Sequence, residues 1–186
     1  MKELVIVIPG LGSNMVRNRI EAIVRRWERP NRPVQIFNSN WSSNESFDQK
    51  LSRLIKQVDG YKGAKISVVA FSAGGALATS LLDRSSNISK VILISSKIKG
   101  SNTIGVKYQK RASALIDAVK ASENSIARLP ASKKEKIICL KPIFDEVVPK
   151  KDMCFEGVET KLTPFLFHVP SIAIALLFQV KRLLKD

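Results

Sequence analysis

Short apolar runs alternate along the chain with stretches whose apolar positions return every three or four residues. Leu4-Val5-Ile6-Val7-Ile8 is apolar at every position, as expected of a strand buried on both faces, and it ends at Pro9-Gly10-Leu11-Gly12. Val16, Ile20, Ile23, Val24 and Trp27 then follow at helical spacing, with Ser13 or Asn14 placed to cap the amino end. A second strand is predicted over Val34 to Phe37. The next helix runs through Phe47, Leu51, Leu54, Ile55 and Val58, introduced by Ser43 or Ser46 with Gln49 as a capping-box partner. Further strands are predicted over Ile66 to Ala70, Lys90 to Ile94, Lys136 to Leu140 and Leu162 to Phe167. Helices are predicted over Ala73 to Leu82, Val106 to Ala127 and Ser171 to Leu184.

Strands that alternate with helices call for a parallel sheet with helices on both faces. The expected fold is therefore α/β, a three-layer α/β/α sandwich around a mostly parallel sheet of about six strands. No repeat, low-complexity tract or Pro/Gly linker divides the sequence, so residues 1–186 read as a single domain.

Composition adds little to this picture, with 45% hydrophobic and 25% charged residues, but charge adds more. Lys and Arg number 31 against 16 Asp and Glu, a net charge of +15, which draws a protein toward anionic partners. The cations are spread along the chain without an interleaved aromatic series, so there is no specific nucleic-acid signal. Cys139 and Cys154 form neither a disulfide framework nor a metal-ligand spacing. Leu4 to Ile8 is too short for a signal-peptide core, and Ile172 to Val180 is too short to span a bilayer. The expected location is cytoplasmic, with peripheral membrane association left open.

The candidate chemistry starts at Ala70-Phe71-Ser72-Ala73-Gly74-Gly75, where a strand must turn sharply into a helix. This is the nucleophile-elbow pattern with Ala70 in place of the first Gly. Small residues two positions either side let the strained turn pack, and the strain holds the hydroxyl out at the sheet edge. A serine needs a base, and the chain has one histidine, His168, just after the last predicted strand. The imidazole needs a carboxylate to fix its tautomer. Asp145 is the first candidate, opening Asp145-Glu146-Val147-Val148-Pro149 after the strand through Cys139, with Glu146 and Asp152 as substitutes. An oxyanion hole needs free backbone amides. Leu11, in the glycine loop after the first strand, and Ala73, after the nucleophile, are the candidates. Gly10-Leu11-Gly12 is only a weak echo of a dinucleotide loop, since Met15 stands where the third Gly belongs.

From Val5-Ile6-Val7-Ile8-Pro9-Gly10-Leu11-Gly12 through the elbow to Asp145-Glu146-Val147-Val148-Pro149 and His168, the chain resembles the α/β-hydrolase superfamily. It is most similar to the minimal lidless members, small esterases and lipases whose elbow reads Ala-x-Ser-x-Gly. The resemblance implies a triad of Ser72, Asp145 and His168 and no cofactor. Departures are Pro9 where many relatives have His, Ala70 at the elbow, and the lack of a Gly before His168.

The implied activity is cleavage of a small carboxylic ester or thioester. Acyl transfer or peptide cleavage by the same residues, and a catalytically silent binding module, are the alternatives. Ser95 to Ala112, the one sizeable insertion, carries Lys97, Lys99, Lys107, Lys110 and Arg111 and no acidic residue. It reads either as a solvated basic loop or as a border of the pocket that favours an anionic substrate or an anionic membrane surface. The C-terminal helix, apolar from Ile172 to Phe178 and then basic at Lys181, Arg182 and Lys185, offers packing on the sheet or surface membrane association.

Overall fold

Strands apolar at every position need cover on both faces, and the chain supplies it. The computed structural model describes residues 3–12, 14–61 and 63–185, with side chains throughout these except at 14–17 and 111. Ser13, one of the two expected caps of the first helix, lies outside the described residues, as does the side chain of the other, Asn14.

The elements run β1 (Glu3–Ile8), α1 (Asn14–Val24), β2 (Val34–Ile36), α2 (Phe47–Asp59), β3 (Lys65–Phe71), α3 (Gly74–Arg84) and β4 (Ile88–Ile94). After β4 come α4 (Val106–Arg111), α5 (Ala114–Arg128), α6 (Ala131–Lys134), β5 (Ile137–Phe144), β6 (Glu159–Leu166), α7 (His168–Ile174) and α8 (Val180–Leu183). The six strands form one sheet in the order β2-β1-β3-β4-β5-β6, with every neighbouring pair parallel. Alternate residues of each central strand feed opposite cores, because side chains along a strand point to opposite faces. Leu4, Ile6, Val68, Leu93 and Cys139 pack with α2, α3 and α5, whereas Val5, Val7, Val69, Ile92 and Leu140 pack with α1, α7 and α8.

Ser46 caps α2 in a complete capping box with Gln49, which decides between the two serines expected there. β5 runs on to Phe144 past the expected Leu140, a short unexpected helix, α6, precedes it, and three further elements differ from expectation. The helix expected over Val106 to Ala127 is broken at Ala112, whose extended backbone (φ −150°, ψ 80°) separates α4 from α5. The break lets α5 bury Ala114, Leu115, Ala118 and Val119 against α3 while α4 leans its Tyr108 over a cavity, two tasks that one straight helix does not serve. β6 begins at Glu159, earlier than Leu162, because an edge strand exposed on both faces carries no apolar period to read. The last helix begins at His168, with Pro170 inside its first turn, where a missing N–H costs nothing. It widens into a π turn over Ala175–Gln179 before α8.

α3 is buried over Gly74 to Leu82, so it occupies the middle of its layer. It reaches the sheet there because Gly74 has no side chain: a Cβ would lie 2.1 Å from the Ile8 carbonyl oxygen and 3.0 Å from that of Pro9. Gly74→Ala is expected to lower stability by about 1–3 kcal/mol through overpacking against rigid backbone. Urea unfolding checks this, and an unchanged midpoint would contradict the packing assigned to α3.

Candidate active site

β3 hands over to α3 through Ser72 and Ala73, at the carboxyl edge of the sheet. Ser72 takes a left-handed backbone (φ 53°), a conformation that non-glycine residues adopt only where surrounding structure enforces it. Enforcement comes from three hydrogen bonds. Ser72 N–H donates to the Ile94 carbonyl (3.1 Å), and the Ser72 carbonyl accepts from the amides of Gly75 (3.2 Å) and Lys97 (3.0 Å). The loop after β1 closes on the same residue, since a Cβ at Gly10 would lie 2.5 Å from Ser72 Cβ and 3.0 Å from its Oγ.

That loop is held from outside by residues the sequence did not single out. The Pro9 carbonyl accepts from Trp41 Nε1 (3.0 Å) and Ser39 Oγ (3.2 Å). The segment carrying Trp41 is tied in turn by the buried Lys50, whose Nζ donates to the Asn40 carbonyl (2.8 Å) and Ser43 Oγ (2.7 Å). A lysine inside a strongly helical pattern reads as solvent-facing, and only the fold brings it against a loop carbonyl. Among the described residues, no backbone acceptor takes the amide of Leu11 or of Ala73.

His168 arrives from the other side, where β6 ends and α7 begins, and is buried. Its Nδ1 lies 2.8 Å from Asp145 Oδ2. The second carboxylate oxygen of Asp145 accepts from the amides of Val147 (2.9 Å) and Val148 (2.8 Å). Burial pushes the Asp145 carboxyl up, but the hydrogen bonds from His168, Val148 and Val147 outweigh it and hold the group below its ordinary value. The side chain is therefore an anion at neutral pH, aimed at the imidazole.

The two substitutes for Asp145 have other partners. Asp152 is buried in an ion pair with Lys97 (Nζ to Oδ2, 2.6 Å), and Thr103 Oγ1 accepts from the same ammonium at 2.8 Å. Glu146 Oε2 accepts from the backbone N–H of His168 (2.9 Å), fixing the first residue of α7. This contact matters because Phe167, just before it, has φ 73° and ψ 149°, backbone that glycine ordinarily supplies. The absent glycine before His168 thus leaves its geometry in place, with Phe167 strained into it and Glu146 and the Phe167 N–H to Phe144 carbonyl bond (3.0 Å) holding the strand–helix junction.

Ser72 and His168 both line two cavities, one on each side. The first, about 240 Å³, is walled by Ala73, Lys97, Tyr108, Leu115 and Val148; the second, about 250 Å³ and more apolar, by Ile20, Ile23, Phe71, Ile172 and Leu176, with Arg19 among its lining. Of the basic residues in the 95–112 insertion, Lys97 reaches the first cavity, already paired with Asp152. No Ser72–His168 hydrogen bond is present among the described residues.

Away from the site, Cys139 and Cys154 are free and buried, and they lie close enough to influence one another, a proximity that the sequence spacing did not announce. That proximity lowers the Cys154 thiol and raises the Cys139 thiol, as two groups sharing one proton must. No group of three or more His, Cys, Asp or Glu side chains among the described residues is placed to hold a metal ion.

No family model and no curated protein matches the chain. Solved structures do. The whole chain superposes on 98% of ClbQ from the colibactin NRPS/PKS pathway at 10% identity and a TM-score of 0.60. It covers 89% of a single-site mutant of haloalkane dehalogenase DatA from Agrobacterium tumefaciens, again with the whole chain, at 10% identity and a TM-score of 0.67. With Est1E from Butyrivibrio proteoclasticus, 98% of this chain and 89% of that one align at 13% identity and a TM-score of 0.61. At such identities the likeness concerns fold, and the fold is that of an α/β-hydrolase.

Glu146→Ala is expected to destabilise the protein by about 0.5–1.5 kcal/mol, the net cost of losing a part-buried hydrogen bond. Phe167→Gly relieves backbone strain, so the loss should be smaller when Glu146→Ala is made in the Phe167→Gly background. A double-mutant cycle by chemical unfolding reads the coupling, and strictly additive losses would contradict it.

Proposed function

We propose that the protein is a serine hydrolase that cleaves a carboxylic ester or thioester through an acyl-enzyme on Ser72. The observation that carries this reading is the Asp145–His168 hydrogen bond, which sits beside a serine held on a strained turn with both residues opening onto the same two cavities.

Asp145 fixes the proton on His168 Nδ1 and leaves Nε2 as the base. Nε2 takes the Ser72 hydroxyl proton as Oγ bonds to the substrate carbonyl carbon. The carbonyl electron pair moves onto oxygen, and the oxyanion is met by the N–H groups of Leu11 and Ala73. Collapse of this intermediate breaks the bond to the leaving alcohol or thiol, which takes the proton from His168. Water then enters, loses a proton to His168 and releases the acid, returning the proton to Ser72. The two cavities accommodate the acyl and leaving groups on opposite sides of Oγ, and the apolar one between α1 and α7 suits the acyl chain. Its size favours short to medium chains, for it lies at or below the low end of ordinary ligand pockets.

A binding module without turnover is the second reading, favoured by the absence of a Ser72–His168 hydrogen bond among the described residues. Hydrolysis of p-nitrophenyl esters of increasing chain length separates the two. Ser72→Ala should abolish turnover, and Asp145→Asn should lower kcat by about 10³–10⁴-fold with KM little changed, because the amide imposes the wrong histidine tautomer. Equal rates in the native protein and in both variants would sink the hydrolase reading.

A further inference from the structure

Beside the mouth of the site lie apolar side chains that no described residue covers. Ile143 and Phe144 close β5, Leu166 closes β6, and Phe167 and Val169 flank His168, each between 48% and 61% exposed. Four of them, Phe144, Leu166, Phe167 and Val169, belong to one surface. Phe144 pairs in register with Leu166, and its ring meets that of Phe167 edge-on at 5.9 Å, while Val169 lines both cavities. Keeping a half-exposed phenylalanine in a backbone conformation suited to glycine costs stability without a compensating burial of its ring in the core. Such a ring gains its return only when something apolar covers it.

The charge around this face indicates what that is. Lys150 and Lys151 follow β5 by a few residues, and Lys107 and Lys110 lie on α4, next to the half of the mouth formed by Gly105 and Tyr108. All four are exposed, and none has an ion pair among the described residues. Of the neighbouring carboxylates, Asp152 is ion-paired with Lys97, while Asp145 and Glu146 are hydrogen-bonded to the ring and the backbone amide of His168. Exposed apolar side chains at the mouth, with exposed lysines on the segments beside it, match an anionic lipid surface, where acyl chains receive the apolar groups and head groups the lysines. A second copy of this chain fits poorly. Each copy carries +15, and Pro164 interrupts the free edge of β6 that strand pairing would use.

We infer that the face around Phe144, Leu166, Phe167 and Val169 docks on anionic bilayers, so that the site opens onto the membrane and takes its ester substrate from there. The substrate half of this rests on the hydrolase reading; the docking half does not. The test therefore begins with the Ser72→Ala protein, sedimented with vesicles of phosphatidylcholine alone or with about 30% phosphatidylglycerol. It should sediment with the anionic vesicles and stay in solution with the neutral ones. The pairs Phe144→Ser with Leu166→Ser, and Lys150→Glu with Lys151→Glu, should each weaken sedimentation about tenfold or more. Because all four positions are exposed, thermal midpoints should not move.

Made in the native protein, the same pairs should leave hydrolysis of a water-soluble short-chain ester unchanged and lower hydrolysis of an ester lipid embedded in anionic vesicles. Failure to sediment, sedimentation that the serine pair leaves unchanged, or a dimer at sedimentation equilibrium that the serine pair abolishes would each overturn the docking. Docking by a native protein that hydrolyses neither ester would overturn the catalytic reading and leave the docking face standing.

Discussion

The left-handed backbone of Ser72 is the constraint on which the carboxyl edge of the sheet depends. A residue in that conformation at the end of β3 turns the chain abruptly into α3, and the turn survives because everything near it leaves room or holds on. Gly10 and Gly74 leave room, with would-be Cβ positions that fall on Ser72 and on the end of β1. Ile94, Gly75 and Lys97 hold on through the Ser72 amide and carbonyl. Trp41 and Ser39 steady the loop that faces the serine, and the buried Lys50 steadies the segment that carries Trp41. Two buried polar side chains, Ser39 and Lys50, thus help to fix one hydroxyl position.

The histidine side is built on a different economy. Two adjacent carboxylates divide the work, Asp145 holding the ring of His168 and Glu146 its backbone amide. Phe167 takes strain where glycine would take none, and the junction is secured by hydrogen bonds rather than by conformational freedom. The ring that results, paired with Phe144 at the mouth, joins the Asp145–His168 geometry to the exposed apolar face. Strain in the backbone and apolar exposure at the surface therefore coincide at Phe167.

The central strands were legible because burial on both faces leaves an unbroken apolar run, as in Leu4 to Ile8. The elbow was legible because a sharp strand-to-helix turn restricts residues to small ones over a fixed spacing. Asp145 could be chosen ahead of Glu146 and Asp152 by its place after β5, and the structure puts it against His168 at 2.8 Å. What stayed hidden depends on tertiary contact alone. The start of β6 leaves no period because the strand is exposed on both faces. The break at Ala112 arises from competing packing demands on α4 and α5. Glu146, Trp41 and Lys50 act on residues distant in sequence, and the Cys139–Cys154 contact joins a strand to a loop.

The central claim is that Ser72 is an activated nucleophile, and covalent labelling tests it most directly. The folded native protein would be treated with a fluorophosphonate, digested and mapped by mass spectrometry. The account predicts one adduct, on the Ser72 peptide, lost in His168→Ala even though its serine remains. A folded native protein that takes up no label, or takes it up at another serine, would contradict it.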